Sequence, residues 1–98
     1  MKYKQYVYPA QFINEENGTI SVYFPDLDGC HTYDDTLEGA VLMAKDALEG
    51  YIEFIFELGK ELPAPSNVKD ISTDNGSVML VVADPGWSDR IAEKAHLN

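Results

Sequence analysis

Residues 36–58 read TLEGAVLMAKDALEGYIEFIFEL, and the spacing of apolar residues in this stretch decides the fold. Leu37, Ala40, Val41, Ala44, Ala47, Leu48, Tyr51, Ile52, Ile55 and Phe56 recur three or four positions apart. That period puts them on one stripe of a helix, the stripe that must be buried. Asp35 or Thr36 can cap its start, because a short side-chain oxygen accepts from the free first-turn amides. Glu38 in the first turn suits the positive end of the helix dipole. Gly59 is placed to end the helix, and Pro63 and Pro65 stop it from resuming. A helix from about Thr36 to Leu58 is long enough to cross a small sheet. Tyr51 and Phe54 are the rings expected to reach beyond the core.

On the N-terminal side the period is two. Tyr6 to Ile13 alternates as a strand does, with Tyr6, Tyr8, Ala10 and Phe12 on one face. Pro9 has no N–H to give a ladder, which predicts an edge position or a bulge. Residues 15–18, Glu-Glu-Asn-Gly, form a hairpin turn. Thr19 to Phe24 returns with Ile20, Val22 and Phe24 on one face. The stretch FPDLDGC, residues 24–30, then ends that strand at Pro25 and reverses at Gly29, and Cys30 to Tyr33 makes a short third strand. After the helix, Leu62 to Ser77 reads as a linker. Val78 to Ala83 is a continuous apolar run and predicts a strand buried on both faces. Trp87 to Leu97 has short helical spacing through Trp87, Ile91 and Ala95. The chain is therefore α+β: a small antiparallel sheet in the order β-β-β-α-β with one long helix packed on it.

The 98 residues are enough for one domain, and the formal charge is −10 at pH 7. Such a field repels nucleic-acid phosphates and favours a basic partner, although acidity also serves plain solubility. Tyrosines such as Tyr3, Tyr6, Tyr8, Tyr23 and Tyr33 lack the basic groove of a base-stacking module. A single cysteine, Cys30, excludes an internal disulfide and a cysteine-rich zinc site. No apolar run is long enough to span a membrane, and the N-terminus lacks a signal core, so the expected compartment is the cytoplasm.

The chemistry-bearing cluster is Asp26, Asp28, Asp34 and Asp35 around the third strand. Grouped carboxylates can bind Mg²⁺ or share acid–base work. A nuclease of the ribonuclease H type needs acids projecting together from its strands, and the first strand has none between Tyr6 and Ile13. Turn and cap chemistry accounts for the same aspartates: Asp26 and Asp28 accept backbone hydrogen bonds, while Asp34 and Asp35 start the helix. Cys30 and His31 are adjacent on a strand and point to opposite faces, so they do not form a nucleophile–base pair. Cys30 is expected in the core and His31 outside it. The residues point to no catalytic site, no metal and no cofactor.

Several pieces, in order, carry a resemblance: Tyr8-Pro9-Ala10, Phe24-Pro25-Asp26-Leu27-Asp28-Gly29-Cys30, Thr36-Leu37-Glu38-Gly39-Ala40, Ala44-Lys45-Asp46-Ala47-Leu48 and Leu62-Pro63-Ala64-Pro65-Ser66. Together they resemble the HicB antitoxin family over Tyr6 to Ser66. The resemblance implies a partial ribonuclease H-like fold without the nuclease's carboxylates, and a non-enzymatic antitoxin. Its implied partner is a HicA-like toxin, a small basic ribonuclease, neutralised by occlusion. It also implies a homo-oligomer, a dimer or higher. Partner-facing candidates are Tyr23, Asp26, Asp28, His31, Tyr33 and Asp34. Many members carry a C-terminal DNA-binding unit that represses their operon. Residues 1–83 correspond to the antitoxin domain, and residues 84–98 resemble the opening of a ribbon-helix-helix unit whose second helix is missing. Trp87, Arg90 and Lys94 are its DNA-binding candidates, and operator DNA is a partner only for a complete unit. The family often has proline where this chain has Asp28, which bears on the shape of the turn. Rival expectations are a transcriptional autorepressor, a metal-dependent ribonuclease H-like nuclease, and a HicB-like domain with no toxin partner.

Overall fold

The computed structural model describes residues 6–83. The elements run β1 (Tyr6–Asn14), β2 (Ile20–Tyr23), β3 (His31–Asp34), α1 (Leu37–Glu57), a 3₁₀ turn (Val68–Asp70) and β4 (Gly76–Ala83). They build one four-stranded sheet in the order β3-β2-β1-β4, with every neighbouring pair antiparallel. The α+β order expected from the two hydrophobic periods is the one observed.

One face of the sheet is covered by α1. Tyr8, Ala10 and Phe12 of β1, Val22 of β2 and Val81 and Ala83 of β4 meet Ala40, Ala44, Leu48 and Ile52 of the helix. The alanines at the start of the helical stripe let its backbone come close to the sheet, and Leu48 and Ile52 fill the space beyond. Thr36 is the cap: its hydroxyl accepts from the Gly39 N–H at 3.0 Å. At the other end Gly59, with φ 72, gives its N–H to Phe56 O, and Lys60 gives its own to Ile55 O. That pair of bonds satisfies the last carbonyls in the manner of a Schellman motif.

Four expectations are corrected. Pro9 lies in β1, an interior strand, within an unbroken one-to-one register against β4 that sets it opposite Leu80. Its tolerance has a local reason: β2 pairs only with Gln11–Asn14, so over Tyr6–Ala10 one side of β1 carries no ladder with it. The helical stripe is narrower than its apolar residues, for Leu37, Val41 and Phe56 are exposed at the start and flank of α1. Residues 62–75 are no free linker. They hold the 3₁₀ turn, and they are tied down where Tyr8 Oη donates to Pro63 O at 2.6 Å and Gln11 Nε2 to Ser72 O at 2.8 Å. Finally, β4 begins at Gly76 and is two-faced. Val81 and Ala83 are buried, whereas Leu80 is 57% and Val82 40% exposed. With a helix on one side only, the second face of an antiparallel sheet stays open, and the unbroken apolar run concealed that.

Candidate partner-binding face

Strand register decides which of the candidate residues come together. Tyr23 sits opposite His31 across the β2–β3 ladder, and Ser21 sits opposite Tyr33. Because side chains alternate, Tyr23, His31 and Tyr33 share the sheet face turned away from α1, while Thr32 and Asp34 turn toward the helix. The Tyr23 and His31 rings are 6.0 Å apart at 36°. Tyr33 is 66% exposed. The three rings form an aromatic patch at the β3 side of the sheet. Cys30, one residue before His31, is buried as expected, with its Sγ 3.7 Å from Ala47 O.

The aspartates do not join the rings as one cluster. Asp34 lies under the start of α1, where its carboxylate accepts from the N–H and the hydroxyl of Thr36, both at 3.1 Å. A Cβ at position 39 would run into that carboxylate, so Gly39 makes room for it. Asp26 was expected to bond within its own turn. Instead its two oxygens accept from Ser66, from the N–H at 2.8 Å and the hydroxyl at 2.7 Å. The turn is closed by its backbone: Leu27 N–H to Phe24 O and Cys30 N–H to Leu27 O, each at 3.0 Å. Gly29, at φ 83, takes the third position of the second turn, which calls for that conformation. Leu27 is buried between the two turns, and Asp28 is left exposed beside it. Trp87, Arg90 and Lys94, with the rest of residues 84–98, lie outside the described residues.

Three groups near this region, Cys30, Tyr8 and Tyr51, are held toward their neutral forms. Burial pushes the Cys30 thiol up to about 11. Burial also raises Tyr8, with a further push from Asp26, and raises Tyr51, with pushes from Cys30 and Asp28. A thiol so held is a poor nucleophile at neutral pH. Among the described residues no group of three His, Cys, Asp or Glu side chains is placed to hold a metal ion. Nor is any helix of the described residues long and apolar enough to cross a membrane. The face carries exposed rings, and the stretch of chain that supplies them is acidic. Between Tyr6 and Asp35 the chain has six carboxylates, Glu15, Glu16, Asp26, Asp28, Asp34 and Asp35, and no Lys or Arg.

The described residues form a small antiparallel sheet with one helix across it, and Tyr23, His31 and Tyr33 share the sheet's other face. The family described as "HicB_like antitoxin of bacterial toxin-antitoxin system" matches residues 8–95, and the chain belongs to that family. A curated relative, Antitoxin HicB 2 of Photorhabdus laumondii, is 44% identical over 59 residues, which are 60% of this chain and 42% of the relative. The chain thus spans about two fifths of that relative's length. Among solved structures, the N-terminal domain of the Burkholderia pseudomallei antitoxin HicB is similar with a TM-score of 0.70 at 23% identity, over 81% of this chain and 99% of that one. A HicA3 and HicB3 toxin–antitoxin complex contains a chain similar with a TM-score of 0.61 at 25% identity, over 81% of this chain and 96% of that one. The fold is that of these antitoxin domains.

Proposed function

We propose that this chain acts as the antitoxin of a toxin–antitoxin pair and neutralises a HicA-like basic ribonuclease by binding and covering it, with no catalysis of its own. The observation that carries the reading is the Tyr23–His31–Tyr33 patch in a part of the chain with six carboxylates and no Lys or Arg. Exposed tyrosines give contact area at low entropic cost, and the surrounding carboxylates attract and orient a cationic surface. Asp28 is the carboxylate of the candidate set left most open to a partner. Asp26 and Asp34 support it by fixing the backbone on either side. The solved HicA3 and HicB3 complex, which contains a chain of the same fold, adds support. The expected compartment remains the cytoplasm, where such a toxin would cleave its RNA.

Co-expression tests the reading. The chain should restore growth to cells making the basic ribonuclease encoded beside it, and the two proteins should co-purify at low salt. Unrelieved toxicity with no recoverable complex would remove the antitoxin assignment.

Autorepression is a second proposal, resting on residues 84–98 and their resemblance to a ribbon-helix-helix opening after an antitoxin domain at 1–83. Trp87, Arg90 and Lys94 would carry it. A mobility-shift titration on the promoter region tests it, and absence of a specific shift would discard it.

A further inference from the structure

The sheet face turned away from α1 has a low point at Ser21. Register sets Ser21 between Tyr33 of β3 and Ile13 of β1 in one row across the strands. Tyr23, two residues on, stands on the same face. Among two tyrosines and an isoleucine the short serine side chain leaves a notch. Toward the β1–β2 turn the notch joins an open cleft of about 760 Å³, lined in part by Ile13, Glu15, Glu16, Asn17, Ser21 and Asn75. We propose that this cleft is the socket for an arginine side chain of the partner protein. Its guanidinium sits at Glu15 and Glu16, and its apolar stem lies over Ser21 beside the rings. The inference rests on the antitoxin reading and adds to it which partner group is held, and where.

The walls of the cleft are held by the chain's own bonds. Glu15 N–H donates to Thr19 O at 2.8 Å and Gly18 N–H to Glu15 O at 3.0 Å, which closes the turn. Asn17 Oδ1 accepts from Thr19 N–H at 3.0 Å. On the far wall Asn14 N–H donates to Asn75 O at 2.7 Å, and Asn75 Nδ2 donates to Asn14 O at 2.8 Å. That bond orients the Asn75 amide, whose oxygen adds a neutral acceptor. Walls fixed in this way have little freedom to lose when a ligand enters.

Chemistry selects the occupant. Glu15 and Glu16 are exposed, and among the described residues neither is paired with a cation. They ask for positive charge, and a metal ion does not suit them: among the described residues no group of three His, Cys, Asp or Glu side chains could hold one. A lysine ammonium is a compact, strongly hydrated point charge. A guanidinium is planar, pairs with a carboxylate through two parallel bonds and stacks on a tyrosine face. The cleft offers carboxylates at one end and tyrosines at the other. Thr19, one row nearer the turn, is about 7 Å from Ser21 along the strand, a span that a long side chain can bridge.

Two experiments on the full chain test the socket. In the first, backbone amide shifts are followed by NMR as tri-arginine or tri-lysine peptide is added at equal concentration and salt. Tri-arginine should move the amides of residues 13–21 and of Asn75 several-fold more than tri-lysine does. Equal shifts from the two peptides, or shifts centred elsewhere, would overturn the proposal whether or not the chain is an antitoxin. In the second, inhibition of the basic ribonuclease encoded beside this chain is titrated. Glu15→Gln with Glu16→Gln should weaken it about tenfold or more. Glu57→Gln with Glu61→Gln removes the same charge from exposed positions outside the cleft and should leave inhibition nearly unchanged. Ser21→Trp fills the notch, removes no charge and should weaken inhibition as well. Full inhibition by both cleft variants would overturn the socket and leave the antitoxin reading standing. An equal loss from the outlying pair would reduce the effect to net charge and overturn it too. A wild type that fails to inhibit removes the antitoxin reading, and the socket's partner with it.

Discussion

Asp26 grips Ser66 across forty positions of sequence, with one carboxylate oxygen on the main-chain N–H and the other on the hydroxyl. The contact ties the turn after β2 to the segment after α1. Together with the Tyr8 hydroxyl on Pro63 O, it holds residues 62–66 against the rest of the domain and fixes the backbone beside Asp28.

Asp26→Ala should therefore loosen that segment more than it unfolds the domain. A cost of about 1–2 kcal/mol is expected from losing two partly solvated hydrogen bonds to a charged group. Hydrogen exchange should speed up at residues 62–67 while the helix amides barely change. Uniform loss of protection across the helix would show instead that the clasp is integral to global stability.

Leu48→Ala and Ile52→Ala remove fully buried side chains and should each cost about 2–4 kcal/mol. Leu42→Ala, on the same helix but largely exposed, should stay within about 0.5 kcal/mol. Urea midpoints separate the two classes. Equal shifts for Leu42 and Leu48 would mean that the buried face of α1 is misassigned.

Cys30 gives a pH dependence. Its folded pKa is raised from 9.0 to about 11 by burial, so the unfolded chain loses the proton first. The stability contributed by the neutral thiol is complete below the unfolded value and is lost as pH rises through the folded one. Tyr8 and Tyr51, also raised by burial, act in the same direction. Urea midpoints should fall on going alkaline across this window, and Cys30→Ala should show a shallower fall. In mildly alkaline solution the native thiol should carry about a hundredfold less thiolate than the unfolded chain and label correspondingly slowly. Rapid native labelling would show that Cys30 is open to solvent.

The sheet and helix were legible because each hydrophobic period was clean. Tyr8, Ala10 and Phe12 alternate, and Ala40, Ala44, Leu48 and Ile52 recur every four residues. Thr36 and Gly59 mark the helix ends by chemistry that works locally. The split of the candidate site was hidden because it depends on register. Only the pairing of Tyr23 with His31 shows that the rings share a face and that Asp34 turns the other way. The Asp26–Ser66 contact has no local signature, since a carboxylate in a turn looks the same whether it bonds nearby or forty residues away. In β4, apolar residues on both faces erased the alternation that would have shown Leu80 and Val82 to be exposed.

The direct test of the antitoxin reading is a titration of the neighbouring basic ribonuclease with this protein, following RNA cleavage at low and at moderate salt. Activity should fall linearly to zero at a fixed stoichiometry. A double variant with Tyr23→Ala and Tyr33→Ala, both exposed in the free chain, should weaken inhibition by about tenfold or more with the fold intact. Association should also slow as salt is added. Cleavage that continues unchanged in the presence of excess folded protein would contradict the account.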